Sequence, residues 1–355
     1  PRWLLHFAAG CCILFMLIGI PGNLFTIVAL FRTKKLKNAT TIFIMNLSIS
    51  DLMFCCFNLP LATSTFWHSS WQHGPFLCRL FPLLRYGLVA VSLFILTITI
   101  NRYIIISHPR LYPRIYKPKY LILMILGIWI AVFGILIITW FESWGRFGLD
   151  VAIGSCSILP DINGQSPKEF LFFVAFLIPC IVIVVCYARI FYIVRKTAFK
   201  SRKRHIHASI DPIEINQEIE SALWMQRLNS KTDSDRYDDD SKSNTPDRST
   251  KKKPIIIRRE SRFRSVRKFR NPDGPPRMSN KDKKLLKMIL VIFSSFLICY
   301  LPITVTKIFK DSIDWRGLNI AGYILIYLTT CINPVVYVVM SSEYRSAYKN
   351  VLLCK

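Results

Sequence analysis

Thr97-Ile98-Thr99-Ile100-Asn101-Arg102-Tyr103-Ile104-Ile105-Ile106 closes an apolar run of membrane length on an arginine. A guanidinium at the centre of a bilayer helix costs about 2.5 to 3.5 kcal/mol on insertion scales, and less toward the interface, so Arg102 needs a partner or a wet cavity. That need predicts further long apolar helices around it. The composition agrees: of 355 residues 52% are hydrophobic, and the mean hydropathy is +0.35, too apolar for an ordinary soluble domain. The formal net charge of +26 would suit a nucleic-acid binder, but Lys and Arg lie between and after the apolar runs, where they report topology. Nucleic acid is not an expected partner.

Working outward from run three, six more runs reach spanning length. The seven cover approximately 6–31, 39–66, 76–106, 119–140, 169–195, 283–309 and 317–341, each about 20 residues or longer, and each must be helical to satisfy its own backbone in lipid. An odd number puts the two termini on opposite sides. Arg32, Lys34, Lys35 and Lys37, then Arg110, Arg114, Lys117 and Lys119, then Arg345, Lys349 and Lys355 share one side. The alternate loops mix Glu142, Arg146, Asp150 and Asp161, and Lys310, Asp311, Asp314 and Arg316. Positive charge stays inside, so the sequence predicts an extracellular N-terminus and a cytosolic C-terminus. Asn38-Ala39-Thr40, a glycosylation pattern, then faces the wrong side for modification. No signal-peptide pattern precedes run one, and further residues are expected ahead of Pro1.

The expected fold is thus an all-α membrane protein, a seven-transmembrane helix bundle with a short amphipathic eighth helix. Residues 1–195 hold helices one to five and 283–341 hold six and seven. Between them, 196–282 is polar, with Asp238-Asp239-Asp240 and then Lys251 to Arg270 strongly basic, which predicts a disordered cytosolic third loop with short helical extensions from its neighbours. Its basic half fits anionic lipid, a kinase site at Arg258-Arg259-Glu260-Ser261, or a solvated linker. In 342–355, Tyr344, Tyr348, Val351 and Leu352 share a helical face of interfacial type, beside Cys354, a palmitoylation site or a plain thiol.

Polar residues inside the runs are few. Asn23, Asp51 and Asn333 are placed to meet at mid-membrane, where a carboxylate demands a partner or a cation. Pro60, Pro179, Pro302 and Pro334 interrupt four runs and free carbonyls. Eight of the eleven cysteines lie in apolar runs, where they act as small hydrophobes, and none shows metal-ligand spacing.

In this order the motifs resemble the rhodopsin-like, class A G-protein-coupled receptors over nearly the whole chain. They are Gly22-Asn23; Leu47-Ser48-Ile49-Ser50-Asp51; Asn101-Arg102-Tyr103 with His108-Pro109; Trp129; Pro179 with Tyr187; Phe296 to Pro302; and Asn333-Pro334-Val335-Val336-Tyr337. The resemblance implies a disulfide between Cys78 and Cys156, the two cysteines that the topology puts outside. It also implies a heterotrimeric G protein as partner, with arrestin and receptor kinases. Arg102 would latch the resting state and meet the G protein in the active one, with Tyr187 and Tyr337 turning inward. No cofactor is implied beyond a sodium ion near Asp51 and Asn333.

Three departures stand out. Asn101 replaces the usual Asp, leaving Asp282 at the start of run six as a remote partner for Arg102. Tyr300 replaces a Trp. The spacing from Cys78 to Arg102 is one residue short, which rotates one half of the helix by about 100° and leaves open whether Ser92 joins Asp51. The Asn-Arg-Tyr variant, Tyr300 and the long basic loop are most similar to the small insect group of the Moody and trapped-in-endoderm receptors, the latter closer in loop size. That likeness implies a role in guiding cell migration or shaping epithelia.

Arg85, two turns along run three from Cys78, sets the ligand. Its planar fork suits carboxylate or phosphate, and Leu84, Leu88, Phe172, Phe173, Phe176 and Tyr300 are an expected apolar lining. An anionic lipid ranks ahead of a peptide; a salt bridge from Arg85 to Glu169 or Glu142 is the purely structural alternative. A transporter would need internal repeats, and a seven-helix hydrolase would need a His and carboxylate metal set in the bundle. Neither pattern is present, so no enzymatic activity is expected.

Overall fold

The computed structural model describes residues 2–33, 38–91, 94–151, 154–232, 280–308 and 316–353. Seven of its helices are long and apolar enough to span a bilayer: Arg2–Arg32, Ala39–His68, Gly74–Ser107 (described on both sides of residues 92–93), Pro118–Trp140, Phe173–Phe199, Lys283–Thr306 and Gly317–Met340. These are called spans one to seven. Their polar side chains turn inward, Asn23, Ser48, Asp51, Thr99 and Asn101 being almost wholly buried. Apolar ones such as Leu126, Ile130, Ile181 and Val184 face out, at 50 to 69% exposure, the inverse of a soluble bundle and what lipid as solvent requires. Span four lies on the rim: only 17% of its apolar window is buried, and it packs on spans two and three.

Glycines and prolines set the close approaches. A Cβ on Gly22 would lie 3.0 Å from Pro334 Cβ, so the Gly22-Asn23 turn of span one fits against the proline of span seven. Ahead of Pro60 and Pro179 the helices widen into π turns at Phe54–Asn58 and Phe173–Leu177, one way a helix absorbs a missing N–H.

Between spans four and five the chain forms a hairpin, β1 Arg146–Asp150 and β2 Ser155–Leu159, antiparallel with Leu149 opposite Cys156. Cys78 and Cys156 are disulfide-bonded with Cα atoms 5.3 Å apart, which pins the hairpin to span three. Phe147 and Ile158 meet Leu136 in a small second core. No strand is expected here from the sequence, because an alternation of five residues is too short to stand out in an otherwise helical chain.

Span seven ends at Ser341, whose side chain caps the eighth helix, Ser342–Leu352, by accepting from Tyr344 N. The chain divides into two units, residues 1–194 with 275–355, and residues 195–274. The helix that begins at Ile178 runs to Thr232, so 196–232 is helical where the sequence predicts a disordered loop with short extensions. From Glu214 to Leu228 Glu, Gln, Ala, Leu, Met and Arg predominate and none is Gly or Pro, and that propensity outweighs the polar composition. Residues 233–279, including the basic block and Ser261, lie outside the described residues.

Candidate ligand cavity and switch residues

Arg85 is buried, 6% exposed, in the half of the bundle that carries the disulfide. Its guanidinium carbon stands 4.0 Å from the ring centre of Tyr323 and 5.8 Å from those of Phe81, Tyr86 and Tyr327. Its Nη2 has no hydrogen-bond partner among the described residues. Glu142, one of the two acids considered for it, instead binds Arg79 at 3.1 Å. Glu142 follows the end of span four in a left-handed conformation, φ 62, where Arg79 reaches it while lying over the Trp140 ring and donating to the Trp140 carbonyl. The side chain of Glu169 lies outside those described.

A cavity of about 170 Å³ opens beside Arg85, walled by Tyr86, Val89, Leu136, Phe176, Tyr300 and Tyr323 among others. Of the expected lining, Tyr300 and Phe176 are present. Leu84, Leu88 and Phe173 are not: at 100° per residue the face carrying Arg85, Tyr86, Val89 and Ala90 turns Leu84 and Leu88 away. Leu88 gives its carbonyl to Ser50 Oγ at 3.0 Å, and Phe173 points outward, 54% exposed. The side chain of Phe172 is not among those described. Phe176, Phe296 and Tyr300 stack, Phe296 and Tyr300 at 4.1 Å, so the floor of the cavity is also a face of span six. Tyr323 and Tyr327, one turn apart on span seven, complete an aromatic cage that the sequence analysis misses; their i, i+4 spacing is its one signal.

Toward mid-bundle, Asn333 Nδ2 donates to Asp51 Oδ2 at 2.8 Å. Asn23 Nδ2 donates to the carbonyls of Gly19 and Thr330, both at 2.9 Å. Thr330 is four residues before Pro334, so its carbonyl is the one the proline leaves without an N–H. Of the three polar residues expected to meet, Asp51 and Asn333 bond each other across spans two and seven, whereas Asn23 ties span one to span seven through the Thr330 carbonyl. Ser48 Oγ, one turn from Asp51, is buried without a partner among the described residues; Ser92 lies outside them.

At the opposite end Asn101 Oδ1 accepts from Thr40 Oγ1 at 2.7 Å, tying span three to span two. Arg102 is buried at 7% exposure, and Tyr103 packs edge-on to His108. Tyr187 donates to the Leu286 carbonyl of span six at 3.4 Å. Tyr337 stacks on Tyr344 of the eighth helix, rings 5.4 Å apart. Thr26 Oγ1 donates to the Gly22 carbonyl, so Tyr348 donates its hydroxyl to Thr26. Burial pushes the Tyr344 phenol up, with a hydrogen bond to Thr41 opposing, and burial likewise raises Tyr348; both hold their protons at neutral pH. Asp282 lies in the first turn of its helix, its side chain outside those described, and Cys354 is beyond the described residues.

Seven spans around a buried polar knot, a hairpin pinned by a disulfide to the span that carries Arg85 and its cavity, and an arginine at the far end are the features of a seven-transmembrane receptor. The chain belongs to that family: residues 22–337 match the 7 transmembrane receptor (rhodopsin family). It is therefore a multi-span membrane receptor and not an enzyme, which also removes the transporter and hydrolase alternatives. It is 41% identical to the G-protein coupled receptor moody of Drosophila melanogaster over 99% of this chain and 52% of that protein. To Protein trapped in endoderm-1 of the same fly it is 34% identical over 96% of this chain and 76% of that one. The chain thus spans about half the length of the moody receptors it matches. Squid rhodopsin shares the fold, with a TM-score of 0.68 at 20% identity over 100% of this chain and 88% of that one.

Proposed function

We propose that this chain is a plasma-membrane receptor, N-terminus outside and C-terminus in the cytosol, that converts binding of an anionic lipid at Arg85 into activation of a heterotrimeric G protein. The observation that carries the ligand is the buried guanidinium of Arg85 with one nitrogen unbonded, opening on an apolar cavity. A buried charge is costly unless paired, and a carboxylate or phosphate head supplies the pair while an acyl chain fills the cavity. About 170 Å³ is below the usual 300 to 1,000 Å³ of ligand pockets, room for a segment of one acyl chain and not for two. Coupling to the G protein rests on family membership and on Arg102 at the far end. Arrestin and receptor kinases as partners rest on family membership, and a role in guiding cell migration rests on the resemblance carried by the Asn-Arg-Tyr variant, Tyr300 and the long basic loop. The orientation rests on the basic loops.

Sodium near Asp51 belongs to the same proposal. A carboxylate that is 4% exposed, with the unpartnered Ser48 hydroxyl one turn away, fits a small monovalent cation.

The test is G-protein dissociation in cells exposed to a panel of fatty acids, lysophospholipids, peptides and amines. Arg85→Ala should cost an active lipid about 30-fold in potency or more, and Arg85→Glu should not restore it at equal surface expression. An active peptide or amine with no lipid response, or a lipid whose potency ignores both substitutions, would reject the proposal.

A further inference from the structure

Span four carries a feature that the ligand cavity does not use. One groove along it is lined by Thr97, Met124, Gly127, Ile128, Ala131 and Val132. A second is lined by Arg114, Ile115, Tyr120, Leu123 and Met124. They adjoin at Met124 and lie end to end along the helix, and together they are called the track, from Arg114 at the Asn-Arg-Tyr end to Val132. At the other end Ala131 and Val132 also wall the Arg85 cavity. From Tyr120 to Val132 the helix rises about 18 Å, close to the roughly 15 Å of one leaflet's hydrocarbon.

The two ends of the track differ in chemistry. Its upper part is apolar and is deepened at Gly127, where an added Cβ would meet nothing within 4 Å. No close packing therefore requires a glycine there, although it weakens a helix interior relative to alanine. At the mouth Arg114 is exposed and makes no ion pair among the described residues. It belongs to a stretch, residues 107–119, with Arg110, Arg114, Lys117 and Lys119 and neither Asp nor Glu. Tyr120 stands beside it, half exposed, at a level suited to headgroups. A cationic mouth at the membrane surface leading to an apolar track one leaflet long matches a phospholipid with a negative head.

We propose that this track is a site for an anionic phospholipid of the adjacent leaflet, its phosphate on Arg114 and one acyl chain lying along Gly127 to the wall of the Arg85 cavity. The site is separate from the ligand site and does not depend on what Arg85 binds. Its distal wall is shared with that cavity, so the bound lipid supports the side of the ligand pocket.

The test uses the full chain in phosphatidylcholine nanodiscs containing a small fraction of phosphatidylglycerol with a diazirine near the chain end, followed by mass-spectrometric mapping. Labelling should fall within residues 120–132, about fivefold above that given by phosphatidylcholine with the same diazirine chain, the preference expected from one basic contact at a membrane surface. Arg114→Glu should bring it down to the choline level. Gly127→Leu should remove it by filling the track. Gly134→Leu is the control: its Cβ also meets nothing within 4 Å and it lines neither groove, so labelling should persist. Equal labelling by the two headgroups, labelling indifferent to Gly127→Leu, or equal loss in Gly134→Leu would overturn the proposal.

Discussion

The bond between Asn23 and the Thr330 carbonyl shows how two motifs far apart in sequence become one structural statement. Pro334 removes the N–H that would satisfy Thr330, and Asn23 supplies a side-chain N–H in its place. Asn23→Ala should therefore lower stability by about 1 to 3 kcal/mol, the cost of a stranded buried carbonyl, read as a lower thermal midpoint in detergent. In that background Pro334→Ala should recover part of the loss, because the substitution restores a backbone N–H at that position; simple additivity of the two substitutions would refute the account. Asn101 offers a second test. Its Oδ1 is engaged by Thr40, so Asn101→Asp keeps that bond and adds a carboxylate beside Arg102. Basal G-protein activation should fall about fivefold, for a coupling on the order of 1 kcal/mol; a rise would mean that Asn101 is not standing in for the acid. Asn23, Asp51 and Asn333 were legible because a polar residue in lipid must find company. The pairing of Glu142 with Arg79 was not, since it depends on where span four stops and turns.

Prolines announce that a helix will deviate but not how. Before Pro60 and Pro179 the helix widens into a π turn, whereas Pro334 leaves its carbonyl to a side chain, and which remedy applies depends on neighbours unseen in the local sequence. The π turn at Phe173–Leu177 also explains why Phe176 reaches the cavity while Phe173 faces out, a register that plain 3.6-residue counting cannot yield. In the eighth helix the amphipathic pattern marks the element correctly but not each contact: Tyr344 and Ala347 are buried, whereas Leu352, on the predicted face, is 67% exposed. Tyr348 fastens that helix to span one through Thr26. Tyr348→Phe keeps the ring and removes one hydrogen bond worth about 1 kcal/mol, so amides 344–352 should exchange about fivefold faster. Unchanged exchange would place the anchor in the Tyr344 stack alone.

At the scale of the bundle, what the sequence analysis reads most surely is the number of spans, because apolar length is a global constraint that no local packing can override. What it cannot read is how tightly any two spans are held, and that decides the movement. Span six packs on span three at the Asn-Arg-Tyr end, and its described polar tie to span five is the long 3.4 Å bond from Tyr187 to Leu286. Within lipid, parting two apolar helix faces replaces side-chain contacts by acyl chains, so there is little hydrophobic penalty to opening. Tyr300 of span six lines the cavity and stacks on Phe296 of the same span and on Phe176 of span five, so a ligand with greater affinity for one position of span six biases the far end. Moving the population from 1:99 to 99:1 takes about 5.5 kcal/mol of such difference, which ligand and G protein supply together. Nitroxide labels at Lys119→Cys and Lys284→Cys, both exposed in the native chain, with the exposed Cys56 and the near-terminal Cys354 first replaced by Ala, report on this directly. Without partner the label distance should be one narrow distribution, and with nucleotide-free G protein it should shift outward by several ångströms. Tyr187→Phe should broaden the partner-free distribution toward the longer distance by removing the weak tie. If the distribution stays narrow in the variant and unmoved by the G protein, span six is not the moving element.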